Sequence, residues 1–157
     1  MKKNRGKDFE QVIKKAFASV PNVSVDRIPD QMSQYKGSTN ICDFIVYRKP
    51  YQYYIECKCV YGNTFPLSRI SQAQAEGLLK KAEIDGVKAG VIVWWIDKDV
   101  TRYIPIWQIE CIKQNGYKSI HWNTACESVW LQGKKSRVYF SYDMEQFFKE
   151  VENGFWN

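Results

Sequence analysis

Two β-rich segments on either side of a short turn constrain the fold of this chain more than any other feature. The segment CDFIVYRKPYQYYIECKCV, residues 42–60, is dense in β-branched and aromatic residues, and RKPY at its centre is typical of a turn. The pattern predicts a β-hairpin. Side chains alternate between the two faces of a strand, so Glu56 and Lys58 are expected on one face and the flanking cysteines on the other.

The other elements follow from the spacing of apolar residues along the chain. Residues 89–96, AGVIVWWI, form a continuous apolar run that is typical of a central strand. Helical spacing predicts helices over 6–20, 71–86 and 143–155. Shorter strands are expected within 20–40, at 102–106 and within 107–141. This order predicts an α/β protein with a mixed central β-sheet flanked by helices.

Length and charge narrow the class of protein. The 157 residues suit a single domain with one core, and the formal net charge is +6. A basic balance favours a polyanionic partner such as DNA, because clustered Lys and Arg displace the counterions of nucleic acid. No segment approaches the roughly 18 apolar residues of a membrane helix, so no membrane partner is expected.

The cysteine and histidine counts exclude further classes of site. The five cysteines are odd in number and contain no CxxC pair, and the charged N-terminus is not followed by the apolar run of a secretory signal. Reduced thiols in a cytoplasmic protein are therefore expected. His121 is the only histidine, which excludes His-rich metal sites and disfavours His-dependent catalytic triads.

Two carboxylates are predicted to meet on the hairpin. Asp43 stands about as far before the turn as Glu56 stands after it, so antiparallel pairing places them side by side. Adjacent like charges are unfavourable unless a cation lies between them, and Mg²⁺ binds one or two carboxylates while keeping several waters. The backbone carbonyl of Cys57 could add a ligand, and the ammonium of Lys58 could act on a metal-bound water or a phosphate. The alternative is an ordinary half-buried strand with a solvated charged face.

Other candidate groups allow two interpretations each. Glu10 borders the apolar stripe of the first predicted helix, so it either faces the sheet within reach of a metal or is an exposed glutamate favoured by the helix N-terminus. Cys57 and Cys59, with Cys42, are either a zinc site or small buried residues. The basic clusters at residues 2–7 and 133–137 either bind phosphates or are solvated surface.

The motif formed by these residues resembles that of a known nuclease superfamily. Asp43, twelve intervening residues and then Glu56-Cys57-Lys58 resemble the D-x(n)-E-x-K signature of PD-(D/E)xK nucleases. GKDFE, at the start of the first helix, is similar to the opening of Holliday-junction resolvases of the RecU and archaeal types. NTFPLSRISQAQ, residues 63–74, resembles the TSFPL segment of the RecU type and the helix glutamine that follows it. The resemblance extends from about residue 6 to residue 106.

This resemblance implies a fold, a chemistry and a set of roles. It implies a restriction-endonuclease-like fold and a RecU-type resolvase that cuts four-way junctions with Mg²⁺, or with Mn²⁺ as a substitute. Asp43 and Glu56 would be metal ligands, Lys58 the catalytic lysine, Glu10 a supporting acid and Gln74 a residue that orients water or phosphate. A junction presents two equivalent strands, so a two-fold symmetric homodimer is expected.

The resemblance also suggests where DNA is bound and which other functions compete. Residues 26–40 stand where RecU-type enzymes insert a stalk, so Arg27 and Lys36 are predicted to contact DNA phosphates. Arg69 precedes the second helix and is predicted to do the same. One alternative is a restriction- or repair-type endonuclease of the same superfamily that acts on duplex or flapped DNA. The other is a DNA-binding module without catalysis.

Overall fold

The computed structural model describes residues 4–29 and 40–154, and that part of the chain contains helices on both faces of a central sheet. The helices are α1 (Arg5–Ala18), α2 (Gln72–Ala82), α3 (Ile106–Gln114) and α4 (Met144–Asn153). The strands are β1 (Ser24–Arg27), β2 (Phe44–Arg48), β3 (Tyr51–Val60), β4 (Thr64–Pro66), β5 (Val87–Trp95), β6 (Val100–Pro105), β7 (Ser119–His121), β8 (Val129–Trp130), β9 (Gly133–Ser136) and β10 (Tyr139–Tyr142).

The predicted hairpin is confirmed as β2 and β3. The two strands pair antiparallel from Arg48 and Tyr51 at the turn to Phe44 and Ile55 at the other end. The next position on each strand therefore brings Asp43 opposite Glu56. Because β3 continues to Val60, its second half extends beyond the end of β2.

The sheet is mixed, as the sequence predicted. Six strands lie in the order β1-β2-β3-β5-β6-β8, and of these pairs only β3 and β5 run parallel. Parallel neighbours need a crossover connection, and α2 provides it. Val91, Ile92 and Val93 at the centre of β5 are fully buried, because helices cover both faces of this strand. The predicted α/β class, a mixed sheet flanked by helices, is confirmed.

The two faces of the sheet bury different cores. The α1 face is packed by α1, α4 and the β9–β10 hairpin, and its core includes Phe9, Trp94 and Phe147. The α2 face is packed by α2 and α3, and its core includes Leu78 and Trp95. The adjacent tryptophans thus point to opposite faces, and each is at most 1% exposed. Both are packing residues.

The region after β6 differs from the sequence prediction. Short strands were expected at 122–131 and 136–142 and no element was assigned before them, whereas the first part of this region forms α3, which begins directly after Pro105. Ile106 and Ile109 are the buried residues of this helix, and their spacing of three is helical. The two predicted segments contain the edge strand β8 and strand β10, which pairs with β9. The separate pair β4–β7 was not predicted.

The described helices are all too short or too polar to span a membrane. All five cysteines lie in the described part of the chain and are free thiols.

We predict that Gly90→Ala destabilises the protein by about 1 to 3 kcal/mol, as overpacking of a dense core does. A Cβ atom on Gly90 would lie 2.6 Å from the ring of Tyr103 and 2.7 Å from the carbonyl oxygen of Ile104. Urea unfolding gives the measurement. Gly6→Ala is the control, because its Cβ would meet Asn4 Oδ1 at 3.5 Å and alanine favours a helix. Equal stabilities of the two variants would contradict the prediction.

Candidate active site

The backbone around Asp43 fixes one carboxylate at the end of the hairpin. Its amide donates to the carbonyl of Ile55 (3.0 Å), and its carbonyl accepts from the amide of Ile28 (2.8 Å). The side chain then turns towards β3, where Oδ2 accepts from the amide of Cys57 (2.8 Å). Asp43 therefore stays in ladder register although β2 begins at the next residue, and its carboxylate lies against Glu56.

Burial and proximity change the protonation of this pair. Glu56 is 3% exposed, and it forms a hydrogen bond with the Asp43 carboxyl group. Burial first, and then the hydrogen bond and negative charge of Glu56, raise the pKa of Asp43 from 3.8 to about 8, against the opposing effects of the Cys57 amide and Lys58. Without a bound cation, Asp43 holds its proton at neutral pH. The raised pKa is a property of the metal-free site, in which Asp43 and Glu56 share that proton.

Lys58 and Gln74 hold the same oxygen of Glu56. The Nζ atom of Lys58 lies 3.2 Å from Oε2, and the side-chain amide of Gln74 donates to that atom as well. Lys58 is 19% exposed, so its ammonium lies at the border between the buried carboxylate and solvent. Glu56 is therefore fixed from two directions.

The orientation of Gln74 comes from the start of α2. Ser71 is the N-cap of this helix, and its hydroxyl accepts from the amide of Gln74 (3.1 Å). In return, Gln74 Oε1 accepts from the amide of Ser71 (3.2 Å), which completes a capping box. The amide group then has its NH₂ end directed at Glu56. The S-x-x-Q motif was available in the sequence, but our prediction did not include Ser71.

The donors at this position suit a hard divalent cation. The described residues contain no group of three or more His, Cys, Asp and Glu side chains that could hold a metal ion. Asp43 and Glu56 supply two carboxylates. The carbonyl of Cys57 points to the same side of β3 as its amide, which faces Asp43. Two carboxylates and a carbonyl fit Mg²⁺, which keeps several waters, and do not fit tetrahedral zinc.

The cysteines do not form a thiolate site. The side chain of Cys57 lies in the core of the α1 face, and Cys42 lies in the core of the α2 face. Burial raises the pKa of Cys42 to about 12 and that of Cys57 well above its ordinary value. Both remain neutral thiols at physiological pH, so the prediction of small buried residues is confirmed for these two.

Glu10 lies beside the sheet but on the face opposite Glu56. Its Oε2 atom is 3.2 Å from Nη2 of Arg27, and the two side chains are 18% and 26% exposed. Arg27 pairs with Phe44 in the sheet, so this ion pair is near the end of β2 where Asp43 lies. Glu10 therefore faces the sheet, which agrees with the first of its two interpretations. Its catalytic role remains a prediction, and so does the DNA contact of Arg27.

Arg69 and Lys36 were also predicted to contact DNA, and the structure describes one of the two. Arg69 is exposed after β4, and its guanidinium donates to the carbonyl of Cys59 near the end of β3. It also lies 5.9 Å above the ring of Phe65. Lys36 lies outside the described residues. The structure therefore brings Asp43, Glu56, Lys58 and Gln74 together, with Arg69 close to the end of the same strand.

Comparisons with known proteins find likeness only among solved structures. No family model matches the chain, and no curated protein matches it. Among solved structures, the chain is similar to Hjc from Archaeoglobus fulgidus, described as a Holliday junction resolvase from an archaeal hyperthermophile. The identity is 19% and the TM-score 0.44, over 64% of this chain and 74% of that chain. A likeness of this degree carries no information about the chemistry of the site.

We predict that the metal-free protein loses stability between about pH 4 and pH 8 because of Asp43. Its folded pKa lies above its unfolded pKa, so the contribution is complete at low pH and disappears as the pH rises through the folded value. One proton gives a slope of at most about 1.4 kcal/mol per pH unit. Asp43→Asn should remove this slope, because the amide carries no proton to lose and still accepts from Cys57.

The measurement is the urea unfolding free energy of both proteins across this pH range in EDTA. The difference between the two curves isolates Asp43 from other titrating groups. If the unfolding free energies of the two proteins changed with pH in parallel, the carboxyl pair would not hold the proton. Added Mg²⁺ should reduce the slope of the wild-type protein and leave that of Asp43→Asn unchanged.

Proposed function

We propose that this protein is a Mg²⁺-dependent DNA endonuclease that resolves four-way junctions. The observation that supports it best is the pair of buried Glu56 and half-buried Asp43, with Lys58 held against the carboxylate of Glu56. A solvated strand face would not place two acids where burial raises a pKa by several units. Perturbed groups of this kind cluster at functional sites. This favours the catalytic interpretation of the motif over the structural one.

The two carboxylates would hold the cation. Asp43 Oδ2 is engaged by the amide of Cys57, and Glu56 Oε2 by Lys58 and Gln74, so each acid is oriented through one oxygen. The carbonyl of Cys57 would add a third donor. When bound, Mg²⁺ supplies a Lewis acid for a water and for the phosphate that it attacks. Mn²⁺ has similar ligand preferences and would substitute.

Lys58 would act on the reacting atoms. Its ammonium is held by Glu56 and reaches solvent, so it can bind a water or a phosphate oxygen without moving far. A fixed positive charge there would stabilise the negative charge that develops on the phosphate during in-line attack. Gln74 was predicted to orient water or phosphate. Because both ends of its amide are engaged, by Ser71 and Glu56, we assign it instead the positioning of Glu56.

The choice of substrate rests on charge and on sequence resemblance. A net charge of +6 favours a polyanion, and the site chemistry fits a phosphodiester. The GKDFE segment and residues 63–74 favour a junction resolvase over other nucleases of the superfamily. The sequence points to the RecU type, and that assignment remains a prediction. Paired cuts at a symmetric junction would require a homodimer.

We expect the purified protein to cut a synthetic four-way junction in Mg²⁺ faster than a duplex of the same sequence, and to cut neither in EDTA. Glu56→Gln and Lys58→Ala should each lower the cleavage rate by about 10²-fold or more, as loss of a transition-state donor does. Their DNA affinities should stay close to wild type, because affinity comes mainly from phosphate contacts. Gel assays of cleavage and fluorescence anisotropy of binding give the two readouts.

Lys49→Ala is the matched control, since this exposed lysine lies in the turn at the other end of the hairpin. It should cut at the wild-type rate. Near wild-type cleavage by Lys58→Ala or Glu56→Gln would show that the site is elsewhere. Faster cleavage of duplex or flapped DNA would assign the protein to the restriction or repair class. Binding without any cleavage would indicate a non-catalytic module.

Cys57→Ala should leave the cleavage rate within a few-fold of wild type, because only the backbone of Cys57 contacts the site. Its side chain is buried on the α1 face, so a loss of stability of about 1 kcal/mol is expected. Cleavage and urea unfolding measure the two effects. A thiolate centre would be favoured by two results together. The Cys57→Ala protein would be folded but inactive, and the purified wild-type protein would contain zinc.

A further inference from the structure

The turn of the β9–β10 hairpin contains an unusual residue. Ser136 pairs with Tyr139, so the loop consists of Arg137 and Val138, and of these two only Arg137 has a positive φ, +61°. This is the arrangement of a type II′ turn, whose first central residue is normally glycine. An L-residue with a side chain pays a steric penalty in that conformation. Arginine therefore occupies a position where glycine would fold more easily.

No packing of the Arg137 side chain explains its presence. Lys134, Lys135 and Arg137 are all exposed, which makes the end of the hairpin strongly basic. Lys135 forms an ion pair with Asp99 (2.9 Å), whereas Lys134 and Arg137 form no ion pair within the described part of the chain. Strained backbone at a residue that stabilises nothing nearby points to a role outside the fold.

The hairpin lies against the sheet at the level where β3 ends. The hydroxyl of Tyr139 donates to Asp8 on α1 (2.7 Å), and its ring lies 5.7 Å from that of Trp94. Trp94 is the β5 partner of Cys59, which follows Lys58 directly. The hairpin and the candidate active site therefore occupy the same end of the sheet, on opposite faces.

A row of cations connects the two faces around the end of β3. Lys58 belongs to the site, and Arg69 donates to the carbonyl of Cys59. Arg5 donates to the hydroxyl of Tyr139 (2.9 Å) and also bonds with the exposed Tyr61, just past the end of β3.

Acids are present at this end of the sheet as well, and each is engaged internally. Tyr139 donates to Asp8, the amide of Gly62 donates to Asp97, and Lys135 pairs with Asp99. The cations described above outnumber these acids, so the net charge at this end of the sheet is positive from the site to the hairpin.

We propose that the β9–β10 hairpin is a second DNA-binding element, in which Arg137 and Lys134 contact the phosphates of a duplex arm that extends from the cleaved position around the end of β3. The proposal rests on the proposed function and adds a binding surface to it. Phosphate contacts position DNA without selecting its sequence. The hairpin would therefore strengthen binding to any duplex arm and would not determine where the cut is made.

A substitution in the turn can test the proposal without destabilising the protein, so a loss of DNA affinity could not be attributed to unfolding. Arg137→Gly replaces a strained residue by the one that the turn favours, so its melting temperature should equal or exceed that of the wild type. At about 0.1 M salt, its affinity for labelled four-way junction and for linear duplex should fall about five- to tenfold, and the slope of log K against log salt should fall by about 0.9. Anisotropy titrations in EDTA prevent cleavage during the measurement.

Three further variants make the result specific. Arg137→Lys keeps the charge and should restore most of the affinity. Adding Lys134→Ala to Arg137→Gly should lower the salt slope by about 2 in total, equally for two DNA sequences. Lys49→Ala with Lys149→Ala removes two exposed lysines away from the hairpin and should change both quantities much less.

Each outcome has a distinct meaning. Unchanged affinity and salt slope in Arg137→Gly, with a wild-type protein that binds and cuts junctions, would overturn the hairpin proposal and leave the proposed function intact. A lower melting temperature for Arg137→Gly would overturn the argument from strain. A wild-type protein that neither binds nor cuts DNA would overturn both proposals.

Discussion

The contact between a buried and a half-buried carboxyl group is the constraint on which the rest of this structure depends. Asp43 and Glu56 repel each other when both are ionised, and burial increases the cost of both charges. The fold nevertheless brings them together through hairpin register, and it surrounds them with donors from β3 and α2. Such an arrangement lowers the stability of the free protein, and the cation proposed above would make it favourable by replacing the shared proton. Under that proposal, metal binding and folding would be linked at one position.

Much of this arrangement could be predicted because it is local in sequence. Hairpin register follows from the position of the turn and from the two-residue period of a strand, so the pairing of Asp43 with Glu56 needed only residues 42–60. The central strand β5 was equally clear from its continuous apolar run. The mixed sheet then followed from the order of the elements.

The parts that escaped prediction depend on contacts distant in sequence or on backbone conformation. The spacing of Ile106 and Ile109 is too short a signal to distinguish a nine-residue helix from a strand. The ion pair of Glu10 with Arg27 requires the packing of α1 against β1, which no local pattern specifies. Arg137 was noticed as part of a basic cluster, but its positive φ is visible only once the hairpin is built.

The candidate site depends on the capping box of α2, which lies in a part of the structure with low local stability. Gln74 orients Glu56, yet its own orientation comes from the first turn of a helix, where hydrogen bonds open far more readily than those in the middle of a sheet. Fraying of that turn would release Glu56 while β3 and β5 stayed paired. Catalytic competence would then follow a local unfolding equilibrium, and on warming it would disappear before the fold does. If the site is catalytic as proposed, Ser71 and Gln74 would therefore limit the temperature range of activity without binding the metal themselves.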